Sequence, residues 1–141
     1  MRSYDKLKLI WKKLSRKWLK PRETSLSMWL GLGVNVNLEI FEELLKETAS
    51  QYDFETIKHG LDKIEIHKRK KPICFLRHDI DFSPQNALRM AQLEQKYGAN
   101  STYTVLLSGQ YYNPFEKNIR EILKKIKGCG HEIGLHFDPT V

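Results

Sequence analysis

The chain has 141 residues and a formal net charge of +7, with 40% hydrophobic and 29% charged residues. That length suits one domain with a buried core, and the composition is ordinary for a soluble globular protein. No apolar run approaches the roughly 20 residues of a membrane-spanning helix. The charged N-terminus lacks the apolar centre of a secretory signal, so we expect a cytoplasmic protein.

The positive charge is concentrated in an N-terminal arm. Residues 1–22 hold nine Lys/Arg and one acidic residue, whereas the rest of the chain holds fifteen basic and sixteen acidic residues. A body that binds nucleic acid would carry a basic face of its own. The near-neutral body therefore argues against nucleic acid as its partner.

The arm shows helical periodicity over residues 4–20, with lysines largely off an apolar stripe. The stripe comprises Leu7, Ile10, Trp11, Leu14 and Trp18. One interpretation is a basic amphipathic helix within 1–22 in peripheral contact with an anionic membrane surface. The other is a helix that packs its tryptophan face on the body or on a partner, and a nucleic-acid arm is a third.

Residues 23–71 are predicted to form a helical lead-in. Asn37 can cap a helix over about 38–49, and a second short helix is expected over 52–63. The buried face of the first helix is expected to comprise Leu38, Phe41, Leu44 and Leu45.

The remaining residues alternate between strand and helix patterns. Strands are predicted at 73–78, 101–107 and 131–138, and the helices between them end at Gly98 and Gly128. Strand, helix, strand, helix, strand predicts an α/β fold with two βα units and a parallel sheet.

The stretch 72–84, PICFLRHDIDFSP, joins the first of these strands to its helix. Ile73 to Leu76 is an unbroken apolar run, typical of a strand buried on both faces. His78-Asp79-Ile80-Asp81 follows where the strand is expected to leave the sheet. Ser83 and Pro84 then supply an N-cap and a first-turn proline.

Parallel packing is expected to bring polar side chains from two strand ends to one edge of the sheet. Asp79 and Asp81 follow the first strand, and His136 and Asp138 end the third. Such a set suits a divalent metal such as zinc, with a second carboxylate as general base. The alternative is that the two aspartates cap the helix and that His78 and His136 are hydrogen-bonded polar residues without a catalytic role.

PICFLRHDIDFSP together with GCGHEIGLHFD resembles the polysaccharide deacetylase family, the carbohydrate esterases (family 4-like) that include chitin and peptidoglycan deacetylases. It is similar in particular to a branch with an Arg-His-Asp-Val-Asp motif, often linked to surface-polysaccharide synthesis. The resemblance implies a distorted (β/α) barrel whose N-terminal part, with three parallel strands and flanking helices, occupies 72–141 after an N-terminal helical segment.

The resemblance also implies roles for individual residues. The family binds a divalent metal, usually zinc, through one Asp and two His, and removes N-acetyl groups from a sugar with a neighbouring Asp as base. By position, Asp79 matches the base, while Asp81 and His136 match metal ligands. His131 matches a residue that supports the site. His78 is a further candidate for a supporting residue or a substitute ligand.

Two departures from the family pattern affect these expectations. Ile80 separates aspartates that are usually adjacent, and Thr140 stands where the second metal histidine is expected, so Asp138 is the candidate substitute. The chain stops at Val141, before the strands that carry the family's substrate-positioning arginine and general-acid histidine. We therefore expect little or no deacetylase activity from this chain alone.

A hypothesis of another class is a catalytically inactive truncated remnant that binds a saccharide or a protein. The aromatic loop of Tyr111, Tyr112 and Phe115 would then stack on a sugar ring, although these side chains also suit anchors packed on the body. The open edge of a three-stranded sheet would accept a partner chain.

Overall fold

The computed structural model describes residues 37–62 and 70–137. The arm helix expected within 1–22 and the candidate ligand Asp138 lie outside these ranges. Among the described helices, none combines the length and the apolar character that crossing a membrane requires.

The chain divides into two compact units, and the first is Met1–Ser50. Its described helix is α1 (Leu38–Gln51), which starts as predicted because the Ile40 N–H donates to Asn37 Oδ1 at 2.9 Å. Leu45 is buried, but Leu38 is 44% exposed, so the prediction of burial is wrong for Leu38. Helical side chains lean toward the N-terminus, and that of Leu38 therefore projects beyond the end of the helix.

The second unit, Gln51–Val141, is mixed α/β with two small parallel sheets. One sheet pairs β1 (Asp53–Phe54) with β2 (Ile73–Cys74). The other has the order β3-β4-β5, built from β3 (Arg77–Ile80), β4 (Thr102–Leu106) and β5 (Glu132–His136). The described helices of this unit are α2 (Ile57–Asp62), α3 (Pro84–Lys96) and α4 (Lys117–Gly128).

The prediction of one continuous strand over 73–78 is wrong, because β2 and β3 belong to different sheets. The short strand β1 pairs with β2, and the backbone then turns so that the Leu76 carbonyl accepts from the Thr102 N–H at 2.9 Å. Phe75, at the break, is 45% exposed, so this stretch is not buried on both faces. Since Phe54 lies in β1, the helix predicted over 52–63 begins only at Ile57.

The core of the second unit lies between the β3-β4-β5 sheet and the helices α3 and α4. Ala87 and Ala91 on α3 are buried against it, and such small side chains allow close approach of a helix to a sheet. The other buried members of this core cluster are Ile80, Tyr103, Val105 and Ile126. The prediction of a parallel sheet with flanking helices is therefore confirmed for these three strands.

The register of the parallel strands sets which residues share the carboxyl edge of the sheet. Ile80 pairs with Val105, and Leu106 pairs with His136. The residues that directly follow β3 and the last residue of β5 consequently lie at the same edge.

Gly98 provides a test of the turn between α3 and β4. Its φ is +66°, a left-handed conformation that costs a residue with a Cβ about 1 kcal/mol. We expect Gly98→Ala to lower the free energy of unfolding by that amount, measured by chemical denaturation. Gly128→Ala is the matched control, because a Cβ there meets no atom within 4 Å and Ala favours the helix. Equal losses in both variants would contradict this explanation.

Candidate functional site

Asp81 and His136 meet at the carboxyl edge of the β3-β4-β5 sheet. Asp81 follows β3 and His136 ends β5, and their Oδ1 and Nδ1 atoms are 3.0 Å apart. Because β4 lies between these strands, the two side chains reach across its end. Both are partly exposed, so the pair is accessible from solvent.

Asp79 lies within β3 rather than after it. Its Oδ1 accepts hydrogen bonds from Thr104 Oγ1 and, at 2.8 Å, from Arg77 Nε. Burial tends to raise the pKa of Asp79, but these two bonds, together with the charges of Arg77 and His136, hold it below its usual range. The carboxylate is therefore ionised at neutral pH.

The alternative that the two aspartates cap α3 is not what the structure shows. Ser83 is the N-cap, since its Oγ accepts from the Asn86 N–H at 3.3 Å. Asp81 instead contacts His136, and Asp79 contacts side chains of β3 and β4. The Asp81 carboxylate thus reaches His136 at the sheet edge, the Asp79 carboxylate lies on a face of the sheet, and neither caps the helix.

A metal site needs more than this pair. Asp81 and His136 offer one carboxylate oxygen and one imidazole nitrogen, which are donor types that zinc accepts, and zinc is usually held by three or four protein ligands. Within 37–62 and 70–137, no three His, Cys, Asp or Glu side chains are grouped closely enough to hold a metal ion. The described residues therefore fit part of a metal site.

His78 belongs to a second cluster, beneath α3, centred on the fully buried carboxylate of Glu94. His78 Nε2 donates to Glu94 Oε1 at 2.5 Å. Glu94 Oε2 accepts from Ser101 Oγ at 2.6 Å and from Tyr103 Oη at 2.9 Å. We call these residues, together with His131, the Glu94 cluster.

His131 is buried beside Ser101 in this cluster. Its Nδ1 accepts from the Ser101 N–H at 3.2 Å, and its Nε2 lies 2.9 Å from the Ala91 carbonyl oxygen. These partners assign the ring proton to Nε2, which donates to Ala91. His131 thus has a hydrogen-bond partner at each ring nitrogen.

The Asp81–His136 pair and the Glu94 cluster lie in different parts of the sheet. His131 directly precedes β5, at the opposite end of the strand from His136, and the separation is about 16 Å at 3.3 Å per residue. His78 and Asp79 are neighbours in β3, and successive strand residues point to opposite faces. Any support from His78 or His131 for the Asp81–His136 pair would therefore act through the fold and not by contact.

Sequence reasoning missed Glu94. It occurs at helical spacing after Ala87 and Ala91, on the stripe that faces the sheet, where a charged residue signals a buried hydrogen-bonding partner. Burial tends to raise the pKa of Glu94, but the hydrogen bond and charge of His78, with the hydrogen bonds of Ser101 and Tyr103, hold it below its usual range.

Glu94→Gln tests the stabilising role of this carboxylate. Because the pKa of Glu94 is lowered in the folded state, its stabilisation is present above the unfolded pKa of about 4.3 and is lost as the pH falls through the folded value. Removing the charge should lower the free energy of unfolding at pH 7 by about 1.5–3 kcal/mol. The variant should also lose less stability than the wild type when the pH is lowered from 5 to 3, measured by urea titration.

Glu121→Gln is the control for Glu94→Gln. Glu121 lies on the exposed surface of α4 and pairs with Lys124 at 2.9 Å. Exposed ion pairs of this kind contribute little to the free energy of unfolding. A stability loss in Glu121→Gln as large as that in Glu94→Gln would contradict a specific role for the buried carboxylate.

Comparisons with known protein families, with curated proteins and with solved structures found no match to this chain. The resemblance to polysaccharide deacetylases therefore depends on the two motif strings that contain Asp79, Asp81 and His136.

Proposed function

We propose that this chain carries part of the metal site of a hydrolase that removes N-acetyl groups from a saccharide, in surface-polysaccharide metabolism. The observation that carries the proposal is the contact between Asp81 and His136 across the carboxyl edge of a parallel sheet, with ionised Asp79 beside it. Strand ends of this kind are where parallel α/β folds gather their active groups.

Each residue has a role in this proposal. Asp81 and His136 hold a divalent metal, zinc in the first instance, and Asp138 supplies a third donor. The metal, when bound, polarises a water and the amide carbonyl of the acetamido group. Asp81 follows β3 and His136 ends β5, so the site depends on the register of the sheet.

Asp79 is the proposed general base. Both hydrogen bonds described for its carboxylate engage Oδ1, from Thr104 and Arg77, and Oδ2 is the oxygen proposed to accept the proton of the attacking water. The lowered pKa keeps this carboxylate ionised at neutral pH. Thr104 and Arg77 are positioning residues in this proposal, since they fix the orientation of the base.

Zinc binding tests the ligand assignment. We expect Asp81→Ala and His136→Ala each to raise the Kd for zinc at least about tenfold, or about 1.4 kcal/mol, measured by titration calorimetry on the full chain. His59→Ala is the control, because His59 is an exposed histidine of α2 that pairs with Glu55. An unchanged zinc affinity in both Asp81→Ala and His136→Ala would refute the assignment of these residues as metal ligands.

Asp79→Asn separates catalysis from metal binding. The amide is close in shape to the carboxylate but does not accept the proton, so we expect the residual acetate release from an N-acetylated chito-oligosaccharide to fall to the uncatalysed background. Zinc affinity should stay within about twofold of the wild type. Release that is undiminished in the variant would show that Asp79 is not the base.

A second candidate function is a catalytically inactive module that binds a saccharide or a protein partner. The observation in its favour is that the described residues supply only two donors for a metal where a site needs three. Absence of zinc binding by the full chain, together with retained saccharide binding, would favour this candidate over the hydrolase.

A further inference from the structure

Two exposed aromatic rings, those of Phe82 and Tyr111, contact each other, and Phe82 is the chain neighbour of Asp81. Phe82 directly follows Asp81 and is 66% exposed, and Tyr111 is 62% exposed. Their ring centroids are 4.8 Å apart, with the ring planes inclined at 56°. The rings therefore contact each other while most of their surface remains open to solvent, and one of them directly follows the proposed ligand Asp81 in the chain.

The loop that carries Tyr111 is fixed by its neighbour. Tyr112 Oη donates to the Ile80 carbonyl at 2.5 Å and accepts from the Leu106 N–H at 3.1 Å. Ile80 and Leu106 are the last residues of β3 and β4. One hydroxyl thus joins the carboxyl ends of two strands and positions Tyr111 against Phe82.

This contact changes the role expected for Tyr112. The structure favours the alternative of an anchor for Tyr112, because its ring packs against the core cluster and its hydroxyl is engaged by backbone groups. The aromatic partner of Tyr111 is instead Phe82, which comes from the connection between β3 and α3.

The chemistry of the loop indicates which ligand the rings would accept. Residues 107–115, LSGQYYNPF, carry no charged side chain, so they offer nothing to neutralise a phosphate or a carboxylate. Ser108, Gln110 and Asn113 are exposed and bear neutral hydroxyl or amide groups. Aromatic faces beside neutral hydrogen-bonding groups match a neutral sugar, which presents an apolar C–H face and a rim of hydroxyls.

We propose that Phe82 and Tyr111 form a stacking platform for a pyranose ring of a neutral, N-acetylated saccharide. This inference rests on the proposed function, because it supplies the saccharide whose acetamido group would lie at the Asp81–His136 pair. The platform binds the sugar independently of any metal, and Tyr112 is its positioning residue.

The test is a calorimetric titration of the full chain with an N-acetylated chito-oligosaccharide in the presence of EDTA. Phe82→Ala and Tyr111→Ala are each expected to raise the Kd about tenfold, or about 1.4 kcal/mol. Tyr112→Phe keeps the ring but removes the hydroxyl, and a rise of about threefold is expected from a less ordered loop.

Leu107→Ala is the matched control, because Leu107 is an apolar residue of the same loop with 48% exposure and has no aromatic face to stack on a sugar. Its Kd should stay within about twofold of the wild type. Thermal unfolding of every variant checks that the fold is retained, which is expected since Phe82 and Tyr111 are exposed.

The platform would be overturned by absence of saturable binding by the wild type, by equal losses of affinity in Leu107→Ala and Phe82→Ala, or by loss of self-association instead of saccharide binding in Phe82→Ala and Tyr111→Ala. The last result would identify a second copy of the chain as the ligand of the aromatic pair.

Zinc titrations of the same variants keep this inference separate from the proposed function. Zinc binding that depends on Asp81 and His136, without any effect of the aromatic substitutions on saccharide binding, would overturn the platform alone. Saccharide binding that depends on Phe82 and Tyr111, without zinc binding, would support the platform and overturn the hydrolase.

Discussion

The burial of one carboxylate, that of Glu94, constrains the rest of the second unit. A buried charge is costly unless it is paired and hydrogen-bonded, and three partners from two strands and one connection satisfy it. Those partners fix the position of α3 over β3 and β4. Ser101 also donates its backbone N–H to His131, which directly precedes β5, and so links this strand to the same network. The strand ends that carry the candidate site are thereby held in one register.

Local patterns predicted most of the secondary structure. The Ser83-Pro84 start of α3, the glycine turns and the parallel βα order all follow from short-range chemistry. The break between β2 and β3 was not predictable in this way, because it depends on pairing with Asp53–Phe54, about 20 residues earlier in the chain. A run of apolar residues does not reveal which of two sheets will pair with it.

The sequence predicts only part of the geometry around the candidate site, for the same reason. It predicts that Asp81 and His136 share one edge, because parallel strands align their carboxyl ends. The separate position of His78 and His131 depends on the buried Glu94, whose partners come from other elements of the fold. Periodicity locates faces of elements, whereas pairing of polar groups across elements depends on tertiary packing.

The alternation of faces along β3 has an evolutionary consequence. His78 and Asp79 are adjacent in sequence, yet one faces the interior of the fold and the other lies on the opposite face of the sheet. Under the proposed function, selection for folding would act on His78, His131 and Glu94, and selection for chemistry would act on Asp79, Asp81 and His136. A homologue that kept the first set and varied the second would therefore be expected to keep the fold and lack the proposed chemistry.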